Sequence, residues 1–313
     1  MYYNSVFPIY KSLYEIKPFF EFSKVVQYEW KRPEARLIEL RKSTNDEPPV
    51  ILVHGIDPRE INGEWTEYKT YFVNTWKRYL PDGYGLYIYI YPSLDIPLEE
   101  SAQKLVEEVL KLSQRQSTQN RKFNFYAHSM GGLLVRYALQ DEKFVKCVNK
   151  IIFAATPHIG SPLANFVVMD KRFLILRKDW NLIKSILIGA NISGVFIQAP
   201  NYRYLIYGSK HPEIPHGVDY INFAGFIERK VDVAISNIAQ TEPFSTAGML
   251  ILNTVTAMLF NEGDFTANDG MVPLVSAIET GKSVIFNGFD HADFILSDII
   301  VNRAVEFFYG DKN

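Results

Sequence analysis

The chain of 313 residues has one cysteine, Cys147. That excludes an internal disulfide framework and any zinc or iron–sulfur site assembled from several cysteines. Cys147 sits in Phe144-Val145-Lys146-Cys147-Val148, a helix-to-strand turn by pattern, and reads as a small buried hydrophobe. There is no excess of charge either. Lys and Arg number 33 against 35 Asp and Glu, a formal net charge of -2, so no global electrostatic case exists for nucleic acid as a partner. Long apolar runs are missing. Ala247 to Phe260 is interrupted by Asn253 and threonines, and falls short of the ~20 apolar residues a membrane-spanning helix needs. The first residues, Met1-Tyr2-Tyr3-Asn4-Ser5-Val6-Phe7-Pro8, carry neither the basic start nor the apolar stretch of a signal peptide. The expectation is cytoplasmic, or secreted if a leader has been removed. There is no internal repeat and no low-complexity tract.

What is present is an ordinary globular composition, 47% hydrophobic and 22% charged, in a chain long enough for a large core. Aromatics are frequent, with 19 Tyr and 22 Phe. Ala35 to Arg41 alternates in part and reads as an early strand, followed by a polar, proline-rich connector at 43–49. Val50 to Val53 is a short continuous apolar run, as in a strand buried on both faces. Helical spacing follows over Glu64 to Leu80 and Leu98 to Leu112, with a strand at Leu86 to Tyr91 between them. Further strands are expected at Phe123–Ala127, Ile151–Ala155, Tyr220–Ala224 and Ser283–Phe286. Helices are expected over Gly131–Leu139 and about Asp293–Tyr309. This alternation predicts a mostly parallel central sheet with helices on both faces. Two apolar stretches, 161–217 and 228–265, break the rhythm and read as helical insertions. Neither has linker composition, so the expectation is a single domain over 1–313.

Three segments carry chemistry. The first is Phe123-Asn124-Phe125-Tyr126-Ala127-His128-Ser129-Met130-Gly131-Gly132, where a strand pattern meets a helix pattern through small-x-Ser-x-Gly. Small residues two before and two after a serine allow the strained turn that exposes a nucleophile, with Ala127 replacing the usual first glycine. A serine before a helix can also be simply its N-cap. The second is Val53-His54-Gly55-Ile56, a turn at the end of a central strand. Such a turn can aim a main-chain N–H at a developing oxyanion, and the residue after the nucleophile supplies the other, so Ile56 and Met130 are the candidate donors. His54 is read as support for that turn. The third pairs Asn268-Asp269-Gly270 with Gly288-Phe289-Asp290-His291, which brackets the last strand. A serine nucleophile needs an imidazole base, and the imidazole needs a carboxylate. The candidates in order are Ser129, Asp269 and His291. His158, His211 and the remaining histidines are read as structural.

These segments resemble the α/β-hydrolase family of serine hydrolases, in particular bacterial lipases whose elbow begins with alanine. Ala127-His128-Ser129-Met130-Gly131-Gly132 is similar to that elbow. Ala155-Thr156-Pro157-His158-Ile159-Gly160-Ser161 is similar to a Gly-Thr-Pro-His-x-Gly-Ser segment of those enzymes, with Ala155 at the first glycine. The likeness covers roughly Val50 to Tyr309 and implies an α/β-hydrolase fold with a Ser129–Asp269–His291 triad and no cofactor. Some members bind a structural calcium through an aspartate two residues after the histidine, which Asp293 matches. The second aspartate of that site has no counterpart, since the corresponding stretch offers Met249 and hydrophobic neighbours and Asp264 lies at a different spacing. No metal is therefore expected, and Asp293 reads as a helix N-terminal acid. A disulfide found in some secreted relatives is impossible here.

The leading expectation is a serine esterase or lipase acting on small or lipid-like acyl esters, with 161–217 as a helical cap over Ser129. The same residues would serve a thioesterase or amidase. A binding protein on a hydrolase scaffold that has lost catalysis is the reading from another class. No H-E-x-x-H spacing supports a metal hydrolase.

Overall fold

The sequence pattern of buried strands separated by amphipathic helices is realised as one twisted sheet between two helical layers. The computed structural model describes residues 5–10, 35–57, 65–94, 96–115, 122–167, 201–227 and 266–310. Eight strands are described: β1 (Ser5–Tyr10), β2 (Arg36–Arg41), β3 (Val50–Val53), β4 (Leu86–Ile90), β5 (Phe123–His128), β6 (Val148–Ala154), β7 (Asp219–Phe226) and β8 (Ser283–Asn287). They lie in the order β1-β8-β7-β6-β5-β3-β4-β2. β2 runs antiparallel to β4, and every other pairing is parallel.

The strands of the sheet's centre are buried on both faces, as their continuous apolar sequences require. Their side chains still alternate. Val50 and Leu52 join Leu86, Ile88, Tyr126 and Ile152 in one core. Ile51 and Val53 join Tyr87, Tyr89, Phe125 and Phe153 in the other. The first core is covered by α1 (Glu67–Tyr79) and the C-terminal pair α8 (Asp293–Leu296) and α9 (Asp298–Tyr309). The second is covered by α2 (Leu98–Arg115), α3 (Met130–Ala138) and α4 (Glu142–Lys146). Cys147 is buried at the end of α4, as its context implied.

Several expectations need correction. β1 was not legible as a strand, and it forms an edge by pairing with β8. The closing helix is not continuous. Ser297 is extended (φ -86°, ψ 129°), ending α8 and preceding α9, so the segment folds as two helices. β6 starts three residues before the expected Ile151 because Val148 pairs with Phe123. The insertion at 161–217 is helical over α5 (Pro162–Val167) and α6 (Tyr202–Leu205), but 206–218, with Pro212 and Pro215, contains no helix. Residues 168–200 and the insertion at 228–265 lie outside the described residues. A short helix α7 (Leu274–Ala277) precedes β8. No described helix is long and apolar enough to cross a membrane.

Candidate active site

The carboxyl ends of β3, β5 and β8 bring the three sequence segments together. Ser129 follows the last residue of β5 and precedes the first of α3, with φ 54° and ψ -128°. A non-glycine residue seldom accepts such a backbone, which costs about 1–3 kcal/mol and needs surroundings that enforce it. Here the enforcement is visible. The Ser129 N–H donates to the Ala154 carbonyl of β6 at 2.8 Å, and the Gly132 N–H donates to the Ser129 carbonyl at 3.0 Å.

The glycines explain why the turn can be so tight. A Cβ on Gly131 would collide with the His54 carbonyl and lie 2.7 Å from that of Val53. A Cβ on Gly132 would fall on the Thr156 hydroxyl and 2.7 Å from its methyl. Gly55 would meet the Ser129 Cβ at 2.7 Å. Helix α3, strand β3 and the turn after β3 therefore converge on the serine with no room for side chains between them.

His291 lies after β8, and its Nε2 is 3.0 Å from Ser129 Oγ. Its Nδ1 is 2.7 Å from Asp269 Oδ2. A carboxylate accepts, so Nδ1 carries the proton and Nε2 is left as acceptor for the serine hydroxyl. Asp269 is itself held. Its Oδ1 accepts the Met271 and Val272 N–H groups at 2.9 and 2.7 Å, and its carbonyl accepts the His291 N–H at 2.9 Å. Ser129, Asp269 and His291 are all buried, with Ser129 and His291 retaining 7% and 8% exposure.

The turn after β3 is pinned residue by residue. His54 Nδ1 lies 2.7 Å from the Gly55 carbonyl, the ring stacks on Tyr91 with centroids 4.4 Å apart, and Tyr91 Oη donates to the His54 carbonyl. Burial, reinforced by Lys69, holds the His54 imidazole well below its ordinary range, so it is neutral. The Asp57 N–H donates to Ser93 Oγ at 2.9 Å. Its carboxylate accepts from the Thr66 hydroxyl and from Lys69 Nζ, the latter at 3.1 Å in a buried ion pair. Removing one partner of such a pair costs about 3–5 kcal/mol, because the other charge stays buried. The Ile56 and Met130 N–H groups donate to no acceptor among the described residues.

The other acidic and histidine candidates have local duties. Asp290 Oδ1 accepts the Ala292 and Asp293 N–H groups at 2.9 and 3.0 Å, while Asp293 Oδ2 accepts the Asp290 N–H at 2.9 Å. This is a reciprocal cap at the start of α8, a variant of the capping box. Asp293 is thus the helix N-terminal acid its position implied. No group of three or more His, Cys, Asp or Glu residues is arranged to hold a metal among the described residues. His158 Nδ1 faces the Arg136 guanidinium at 3.2 Å and Nε2 faces Asn222 Oδ1 at 2.9 Å. Burial and then Arg136 bring its pKa down to about 3, fitting a structural neutral imidazole.

The residues that sequence reasoning missed are Asp57, Lys69, Ser93, Tyr91 and Tyr68. Tyr68 lies within the helical spacing over Glu64 to Leu80. A tyrosine at such a spacing is a weak signal, because its hydroxyl must still find a partner.

The family model described as "Putative serine esterase (DUF676)" matches residues 45–201. The chain belongs to that family. The match takes in Ile56, Ser129 and Met130 of this DUF676 chain and ends before Asp269 and His291. No curated protein matches it. Among solved structures, the lipase BlEst2 of Bacillus licheniformis in its mature form is similar at 17% identity, with 89% of this chain and 98% of that chain covered and a TM-score of 0.51. Its propeptide form is similar at 18% identity, 89% and 54% coverage, and a TM-score of 0.52. At that identity the likeness concerns the fold, which is that of an α/β-hydrolase.

Proposed function

We propose that the chain is a serine carboxylester hydrolase in which Ser129 is the nucleophile, His291 the general base and Asp269 its orienting acid. The observation that carries this reading is the unbroken chain Ser129 Oγ–His291 Nε2, 3.0 Å, and His291 Nδ1–Asp269 Oδ2, 2.7 Å. Ser129 Oγ attacks the ester carbonyl as its proton passes to His291 Nε2. The Asp269 carboxylate stabilises the imidazolium without taking the proton. The tetrahedral oxyanion turns toward the Ile56 and Met130 N–H groups, and one such donor contributes about 3–4 kcal/mol. Collapse breaks the C–O bond, and the leaving alcohol takes the proton from His291. Water activated by the same imidazole then releases the acid from the acyl-enzyme.

The substrate class follows from the cap reading, with 1–313 as one domain, 161–217 as cap and 228–265 as a second insertion. Two anchors, one at the start of the cap and one within it, support it. Ser161 Oγ donates to the Met271 carbonyl at 2.5 Å, in the loop that carries Asp269. Asn201 Nδ2 donates to the Ser93 and Ile96 carbonyls at 2.8 and 2.7 Å, and Ser93 also holds Asp57. The intervening apolar clusters in the sequence, such as Phe173 to Leu176, suit an acyl chain. Each buried methylene adds about 0.8 kcal/mol, or roughly four-fold in kcat/KM per carbon until the cleft is full.

The deciding experiment is Ser129→Ala assayed on a p-nitrophenyl ester series, with fluorophosphonate labelling of the wild type. Turnover should vanish to the residual level left by binding and the oxyanion donors. Near-normal activity in the folded variant would end the mechanism, and a specificity curve peaking at acetate would end the lipid-like part alone.

A further inference from the structure

Three hydrogen bonds outside the triad join its segments end to end. The Gly55 N–H lies 2.8 Å from Tyr68 Oη, Tyr68 Oη lies 2.8 Å from His128 Nδ1, and His128 Nε2 lies 3.1 Å from the His291 carbonyl oxygen. Chemistry fixes the direction of each. A main-chain carbonyl only accepts, so His128 Nε2 carries the proton. A neutral ring then has Nδ1 free to accept, which makes the Tyr68 hydroxyl the donor. Its oxygen in turn accepts from Gly55. Every donor meets one acceptor, with no conflict along the chain.

Both side chains are held in the required protonation state. Burial, followed by the neighbouring His291, keeps the His128 imidazole well below its ordinary range. Burial pushes the Tyr68 phenol well up, so it keeps its proton. The ring of Tyr68 is braced from helix α1 by stacking on Phe72 at 6.3 Å, and the His128 ring lies 4.8 Å from that of His291.

The two ends of this chain and its middle touch the three places the chemistry needs held in register. Gly55 precedes Ile56, His128 precedes Ser129, and the last acceptor is the main chain of His291. Resting on the triad reading above, we propose that Tyr68 and His128 are one positioning unit that sets the oxyanion turn, the nucleophile and the base relative to one another. Neither touches the reacting atoms. Their effect is on the alignment of groups that do, and a misplacement of roughly 1 Å can cost about a hundred-fold in rate.

The test is a set of three variants, Tyr68→Phe, His128→Gln and the double variant, with kcat counted per fluorophosphonate-titrated site. Tyr68→Phe keeps the ring and removes only the hydroxyl. It should lower kcat by about ten-fold or more while KM stays within about two-fold. The double variant should fall no further than the worse single variant, because both cut one chain. A kcat per titrated site within about two-fold of wild type in Tyr68→Phe, with only a lower Tm, would reduce the unit to a structural tie and overturn the proposal. Losses that multiply in the double variant would also overturn it, by showing two independent roles. Ser129→Ala is the control that separates the two layers. If it retains turnover, the triad reading fails and takes this inference with it. If it is inactive while Tyr68→Phe is unimpaired, the positioning role alone is lost.

Discussion

Replacing Asp269 with asparagine changes one heavy atom and should remove most of the activity. Asp269 Oδ1 is fixed by the Met271 and Val272 N–H groups at 2.9 and 2.7 Å, which demand an acceptor. In Asp269→Asn the amide oxygen must take that position, so the NH₂ group faces His291 Nδ1, where Oδ2 now sits at 2.7 Å. Two donors cannot face each other, so the imidazole proton moves to Nε2 and points at Ser129 Oγ, 3.0 Å away. The base is then occupied in its resting state. A wrong tautomer of this kind costs about 10⁴-fold in kcat, or about 5 kcal/mol. The fold should survive, since both backbone bonds to Oδ1 and the His291 N–H to carbonyl bond are kept. The assay is kcat on a p-nitrophenyl ester near neutral pH, with Tm as control. Asp290→Asn is the comparison, because its Oδ1 caps α8 by accepting two N–H groups and an amide oxygen can do the same. A loss below about ten-fold at Asp269, or a larger loss at Asp290, would refute the assignment and the reasoning from anchored oxygens.

Gly132→Ala should destabilise the fold by about 1–3 kcal/mol, since its methyl would overlap the fully buried Thr156 side chain. Thr156→Ala in that background should restore part of the loss in a urea titration, and no recovery would mean the clash is not with Thr156. Stability should also fall below pH 6.5. His54, His128, His158 and His211 have folded pKa values lowered by burial, to about 3 for His158 and about 4 for His211. Above the unfolded value of about 6.5 both states leave these rings neutral. As pH drops past it, only the unfolded chain binds protons, so stability is lost progressively toward the folded values. The urea midpoint should be lower at pH 5.5 than at 7.5, and an unchanged midpoint would contradict the buried neutral rings.

The alternation of apolar strands with amphipathic helices was readable because each element is encoded locally, by a period of two or of 3.6 residues. So was the turn around Ser129, from the small-x-Ser-x-Gly pattern of Ala127 to Gly131, although the groups that leave Gly131 and Gly132 no room, the His54 and Val53 carbonyls and Thr156, come from other strands. Asp269 and His291 could be ordered along the chain, but no local pattern says that they meet; their contact closes across 22 residues and reaches Ser129 across 162. The break at Ser297 escaped the sequence reading because the helical period runs through it on both sides. β1 escaped because its partner β8 lies far along the chain, and strand pairing is a non-local event. The bridge from Gly55 through Tyr68 and His128 to His291 is the clearest case. Sequence by itself determined that Tyr68 falls within a helix and that His128 precedes a reactive-looking serine. Only the tertiary structure decided that the phenol and the imidazole share one hydrogen bond. The physical reason is that a hydrogen bond needs two specific atoms at about 3 Å, and residues 60 positions apart reach that distance only when the sheet and α1 have packed.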